Sequence, residues 1–114
     1  MAMTESATPN LRDGISGIDL REIYGGFHVK DSDDGLHCID VLQMMYGWRL
    51  VLCEKFPGEK EHWLLDGAWC YFGAGTDEYG VERTMTQAFV NCVLAAHAWD
   101  GYGAPDGFNK VAGT

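Results

Sequence analysis

The residues of this chain with chemistry to offer are four cysteines (Cys38, Cys53, Cys70, Cys92) and four histidines (His28, His37, His62, His97). The most suggestive setting is Cys70 in AWCYFGAG, residues 68–75, where a thiol stands between aromatic rings ahead of a glycine-rich turn. Structural zinc sites draw on close ligand pairs, because two to four intervening residues pre-form half of the tetrahedron. No C-x-x-C, C-x-x-H or H-x-x-x-H spacing occurs here, and a strand would send the neighbours His37 and Cys38 to opposite faces. A thiolate nucleophile needs a base within hydrogen-bond reach. Cys92 and His97 are five apart on a helical stretch and fall on different faces. The spacing therefore predicts no catalytic residue, no metal ligand and no cofactor site. The cysteines, each inside an apolar stretch rather than a polar loop, read as buried free thiols, and Cys70 as a small core residue sharing a strand face with Phe72.

Two further motifs give way to plainer readings. GAGT, residues 73–76, precedes a helix pattern as a phosphate loop does, but lacks the Gly-Lys-Ser/Thr ending and is followed by Asp77 and Glu78, which repel phosphate. DSDDG, residues 31–35, has its glycine one place too early for a calcium loop and no glutamate at the twelfth position. Asp66 and Asp100, each followed by glycine, read as turn residues. The tryptophans outnumber what a core of this size requires; Trp48 and Trp99 are expected inside and Trp63 is expected to be an exposed anchor. The candidate partner-binding residues are Trp63, Asp66, Tyr102, Phe108, Asp33 and Asp34.

The elements that must position these residues can be read from the pattern. The 114 residues are 46% hydrophobic and 12% aromatic, enough for one domain with its own core. Residues 1–22, polar with few apolar side chains, are expected to form a flexible arm, and 23–114 the domain. FHVK, the turn DSDDG and LHCIDVL predict a hairpin, although Leu36, Ile39, Leu42 and Met45 also recur at helical spacing, so 36–46 stays open between strand and helix with strand preferred. WRLVLCE, residues 48–54, is the clearest strand, with Trp48, Leu50 and Leu52 on one face and Arg49, Val51 and Cys53 on the other. HWLLDGAWCYFG is β-rich again, with Asp66 and Gly67 predicting a bulge or a second tight turn. The period then changes to 3.6: Val81, Met85, Ala88, Phe89, Cys92, Ala96 and Trp99 share one helix face, capped by Thr76 or Asp77 and stopped by Gly101. The expected fold is α+β, an antiparallel meander of three or four strands packed against one long C-terminal helix.

The net charge of −9 is spread along the chain without a basic patch, which argues against direct nucleic-acid binding. No apolar run approaches the length of a membrane span, and the N-terminus has neither a basic leader nor an apolar core, so a cytoplasmic location is expected.

Three stretches together, DVLQMMYGWRLVLC at 40–53, AWCYFG at 68–73 and VLAAHAWDG with GFNK at 93–110, resemble a group of small uncharacterised proteins encoded by actinobacterial phages. That group has Gly-Trp-Asn-Lys where this chain has Gly107, Phe108, Asn109 and Lys110. The resemblance implies a small phage protein acting in the bacterial cytoplasm and carries no catalytic residue with it. The expected function is a non-enzymatic accessory protein that binds and modulates a host protein, in host takeover or counter-defence. Alternatives are an acidic DNA mimic that inhibits a nucleic-acid-binding protein, a small enzyme using Cys70 or a histidine, and a homo-oligomeric structural protein.

Overall fold

The computed structural model describes residues 11, 20–56, 58–76 and 79–102, the side chains of residues 66–68 excepted. Most of the expected arm and the tail after Tyr102, Phe108 included, lie outside the described residues. Of the first 22, Leu11 forms an isolated parallel bridge with His62, and Leu20–Glu22 make a single 3-10 turn.

Four strands follow one another in space as in sequence: β1 (Gly25–Asp31), β2 (His37–Met44), β3 (Gly47–Glu54) and β4 (Trp63–Gly73), each antiparallel to the next. Residues 37–44 are strand, because their apolar side chains are needed on both faces of the sheet and β2 is buried along most of its length. The β1–β2 turn closes through Asp34 Oδ1, which accepts from Ser32 Oγ at 2.5 Å and from Leu36 N at 2.9 Å, with Gly35 at φ 74°. DSDDG is thus a turn built from its own side chains.

The sheet has two buried faces. Ile39, Val41, Leu50 and Leu52 point towards the helix α1 (Met85–Ala98) and meet Cys92, Ala96 and Trp99. Cys38, Leu42, Met44, Val51 and Cys53 point the other way and pack with Leu64, Leu11, Ile23 and Trp69. The alternation expected along 48–54 is observed. Cys70 and Phe72 lie against the helix-side cluster while Trp69 lies against the other, so Cys70 is core filling, paired across the sheet with Leu50. All four cysteines are free; Cys38, Cys53 and Cys92 are buried as expected, whereas Cys70 is only half-buried because it packs at the margin of the helix-side cluster.

Two irregularities shape the sheet. Between β1 and β2 the register runs from His28 opposite Asp40 to Lys30 opposite Ile39, leaving Val29 as an extra residue. Between β3 and β4 it jumps from Val51 opposite Trp69 to Cys53 opposite Leu64, so Asp66 and Gly67 sit in a bulge of one continuous strand.

The helix begins later than its periodicity predicts. Glu82–Arg83 form β6, paired antiparallel with Gly75–Thr76 (β5), and Thr84 caps the helix in place of Thr76 or Asp77. The reason is local hydrogen bonding: Thr84 Oγ1 accepts from Gln87 N at 3.1 Å while Gln87 Oε1 accepts from Thr84 N at 2.7 Å, a reciprocal capping box. At the other end Lys30 reaches over from β1 to donate to the carbonyls of Trp99 and His97, placing positive charge at the negative end of the helix dipole. Gly101, at φ 89°, follows this end, and its carbonyl accepts from Asp33 N at 3.3 Å.

Candidate functional site

On the sheet face away from the helix, Asp40 has no exposed surface although it sits at the centre of an apolar strand. Cys38 is its neighbour on that face at i−2, and Cys53 stands opposite Cys38 on β3. His28 arrives from β1, directly across from Asp40. His62 arrives from the segment before β4, held by its bridge to Leu11. Four segments distant in sequence thus deliver two imidazoles, a carboxylate and two thiols to one place.

The distances are short. His28 Nδ1 lies 3.0 Å from Asp40 Oδ1, and His62 Nδ1 lies 2.7 Å from Asp40 Oδ2. Cys38 Sγ is 3.5 Å from His62 Nδ1 and 3.8 Å from Asp40 Oδ1, and Cys53 Sγ is 3.6 Å from Asp40 Oδ2. The two imidazoles meet edge to face, with centroids 5.7 Å apart. One donor atom from each of His28, Cys38, Asp40 and His62 lies within 4.8 Å of all the others. Asp31 Oδ1 sits 3.0 Å from the other nitrogen of His28, Nε2, and 2.9 Å from Lys55 Nζ.

Burial by itself pushes the Asp40 carboxyl up, but the hydrogen bonds and charge of His28 and His62 outweigh it and hold the group below the usual carboxylate range. The same hydrogen bond to Asp40 raises His28 against its own desolvation. Cys53 is pushed well above the usual thiol range by its hydrogen bond to Cys38, by burial and by the Asp40 charge.

This arrangement is a poor nucleophilic relay. A relay needs the imidazole to take a proton through one nitrogen while a carboxylate orients it through the other. His62 faces both Cys38 and Asp40 with the single atom Nδ1, and Cys38 is wholly buried.

Of the residues expected to bind a partner, Asp33, Asp34, Trp63 and Tyr102 have described side chains, and they do not all form one patch with the cleft described below. Asp33 and Asp34 are exposed in the β1–β2 turn, and Asp33 is hydrogen-bonded to the hydroxyl of Tyr102, a contact that raises the phenol's pKa. Tyr102 is 68% exposed. Trp63 is half-buried rather than fully exposed, because its ring packs edge-on to Phe56 at 6.3 Å. Together with Leu64, Leu65, Glu54 and Glu59 they line a cleft of about 290 Å³. Trp48 is half-buried against Phe89 at 4.6 Å, and Trp99 is 2% exposed. Asp66 lies in the β4 bulge.

Sequence spacing passed over His28, Cys38, Asp40 and His62 because no two of them form a ligand knuckle. The signal that could have found them is Asp40 itself: a carboxylate inside the apolar strand HCIDVLQM demands a buried partner.

No family model, no curated protein and no solved structure matches this chain. Among the described residues no helix is long and apolar enough to cross a membrane.

Proposed function

We propose that this chain is a small acidic accessory protein of phage origin that acts in the cytoplasm of the bacterial host, without catalysis, by binding a host protein. The observation that supports this reading best is the mostly apolar cleft of about 290 Å³ lined by Phe56, Trp63, Leu64 and Leu65 together with Glu54 and Glu59. Aromatic rings at the centre of a patch with charge at its edge are the usual anatomy of a binding hot spot. The acidic lining residues and the net charge of −9 favour a partner segment in which an apolar side chain is bracketed by lysine or arginine.

The test is a photo-crosslinking residue placed at Phe56 in the phage-infected host, with Trp63→Ala as the competitor form. A single saturable adduct that disappears with Trp63→Ala supports the reading; adducts that are diffuse, or unchanged by the substitution, reject it. If the partner is a DNA-binding protein released by excess duplex DNA, the DNA-mimic alternative takes its place.

A further inference from the structure

We infer that His28, Cys38, Asp40 and His62 form a binding site for one divalent zinc-class ion, which fastens β1, β2 and the segment leading into β4 on the face of the sheet away from the helix. The inference is independent of any host partner.

The donor set fits such an ion in number, chemistry and charge. Tetrahedral zinc at its usual bond lengths to nitrogen, oxygen and sulfur separates neighbouring ligand atoms by about 3.4 Å. Sulfur to nitrogen here is 3.5 Å and sulfur to oxygen 3.8 Å. The two nitrogen-to-oxygen separations, 3.0 Å from His28 to Asp40 Oδ1 and 2.7 Å from His62 to Asp40 Oδ2, are the shorter ones, and ligation asks them to open by about 0.4 to 0.7 Å as the carboxylate turns one oxygen to the ion. Two imidazoles, a thiolate and a carboxylate suit a borderline divalent ion, whereas calcium and magnesium take shells made of oxygen. One thiolate and one carboxylate supply two negative charges against the two positive charges of the ion, so the buried cluster becomes neutral overall. With all four positions filled by protein atoms the site is closed, as structural centres are.

The proton balance follows from the same geometry. The Cys38 thiol gives its proton to solvent, and the Nδ1 proton that each imidazole shares with Asp40 in the metal-free protein moves to Nε2 or, where Nε2 is already protonated, leaves for solvent, so that each neutral imidazole presents Nδ1 as a lone pair with its remaining proton on Nε2. For His28 that Nε2 proton has an acceptor in place, Asp31 Oδ1 at 3.0 Å, the carboxylate-to-histidine support that metal-bound histidines commonly have. Asp31 is held in turn by Lys55. The extra residue at Val29 makes this possible: in an unbroken strand residues 28 and 31 would face opposite ways, and the bulge returns both to the same face. His62 also immediately precedes Trp63, so an ion at this site braces the strand that carries the cleft.

The experiment titrates cobalt(II) alone, and then zinc(II) as competitor, into the metal-stripped full chain with its thiols reduced. The expected result is one equivalent bound, with the intense visible absorption of four-coordinate cobalt and a thiolate-to-cobalt charge-transfer band, both erased by one equivalent of zinc and neither produced by calcium or magnesium. Cys38→Ser removes the charge-transfer band. His28→Gln, at a side chain 39% exposed and so tolerated by the fold, weakens binding by at least about 10-fold, and Asp31→Asn weakens it by about 10- to 100-fold. Circular dichroism of each variant separates loss of a ligand from loss of the fold. Absence of the bands, a response to calcium equal to that to cobalt, or a charge-transfer band that survives Cys38→Ser but vanishes in Cys53→Ser would overturn the assignment.

Discussion

Asp40 is the residue on which the second face of the sheet turns. Its carboxylate is fully buried and is held by two histidines, so deleting it leaves donors facing a void in low dielectric. Asp40→Ala is expected to cost about 3 kcal/mol, the low end for breaking a buried pair, because the imidazoles can shed their protons; chemical denaturation of the reduced protein measures it. Gly47 is a second such position. A methyl group there would collide with Phe72 O and meet Tyr71 Oη at 2.7 Å and Gly73 Cα at 2.8 Å. Two of these three are backbone atoms that cannot move aside, so Gly47→Ala should cost about 1–3 kcal/mol and displace the Tyr71 ring, visible as a change in tyrosine fluorescence together with a lower denaturation midpoint. Cys92 makes a pH prediction. Burial, with the neighbouring Cys70, pushes its thiol up from 9.0 to about 12. The folded state therefore holds that proton more tightly than the unfolded chain does. Its contribution to stability is complete below about pH 9 and is lost progressively as the pH rises towards 12, so thermal midpoints should fall over that window and fall less in Cys92→Ala.

At the scale of elements, the helix and the bulges show how local rules and packing divide the work. The helix face Met85, Ala88, Phe89, Cys92, Ala96 and Trp99 was legible because burial on one side imposes the 3.6-residue period. Its start lies seven or eight residues beyond a cap at Asp77 or Thr76, since Val81 matches the period but Glu82 and Arg83 find β-ladder partners in Gly75 and Thr76, and the Thr84–Gln87 box then sets the boundary. Thr84→Ala should lower stability by about 1 kcal/mol, the ordinary value of a lost cap, with Thr76→Ala near neutral as the contrast; thermal denaturation of both decides between the two caps. Phe89 joins Phe27 at 6.2 Å and Trp48 at 4.6 Å, clamping the helix to β1 and β3. Being only half-buried, it should cost about 3 kcal/mol on substitution by alanine, the low end for a phenylalanine, read by denaturant titration.

At the scale of the molecule, charge and topology set different things. A net charge of −9 without a basic patch predicts no retention of duplex DNA even at low salt, where counterion release favours binding most; a gel-shift titration checks it. The amino-acid sequence by itself determined the fold class, the antiparallel order of the strands, the two faces of β3 and the strand face that Cys70 shares with Phe72, because each follows from a two-residue or 3.6-residue period and from short connections that leave neighbours few ways to pair. Only the tertiary structure decided that His28, Cys38, Asp40 and His62 meet. Their meeting depends on a one-residue bulge that reverses side-chain direction midway along β1, and on a pairing of Leu11 with His62 across 51 residues. Neither leaves a periodic trace, because a bulge breaks the very alternation from which strand faces are read, and a long-range bridge is fixed by packing against the sheet rather than by its neighbours in the chain.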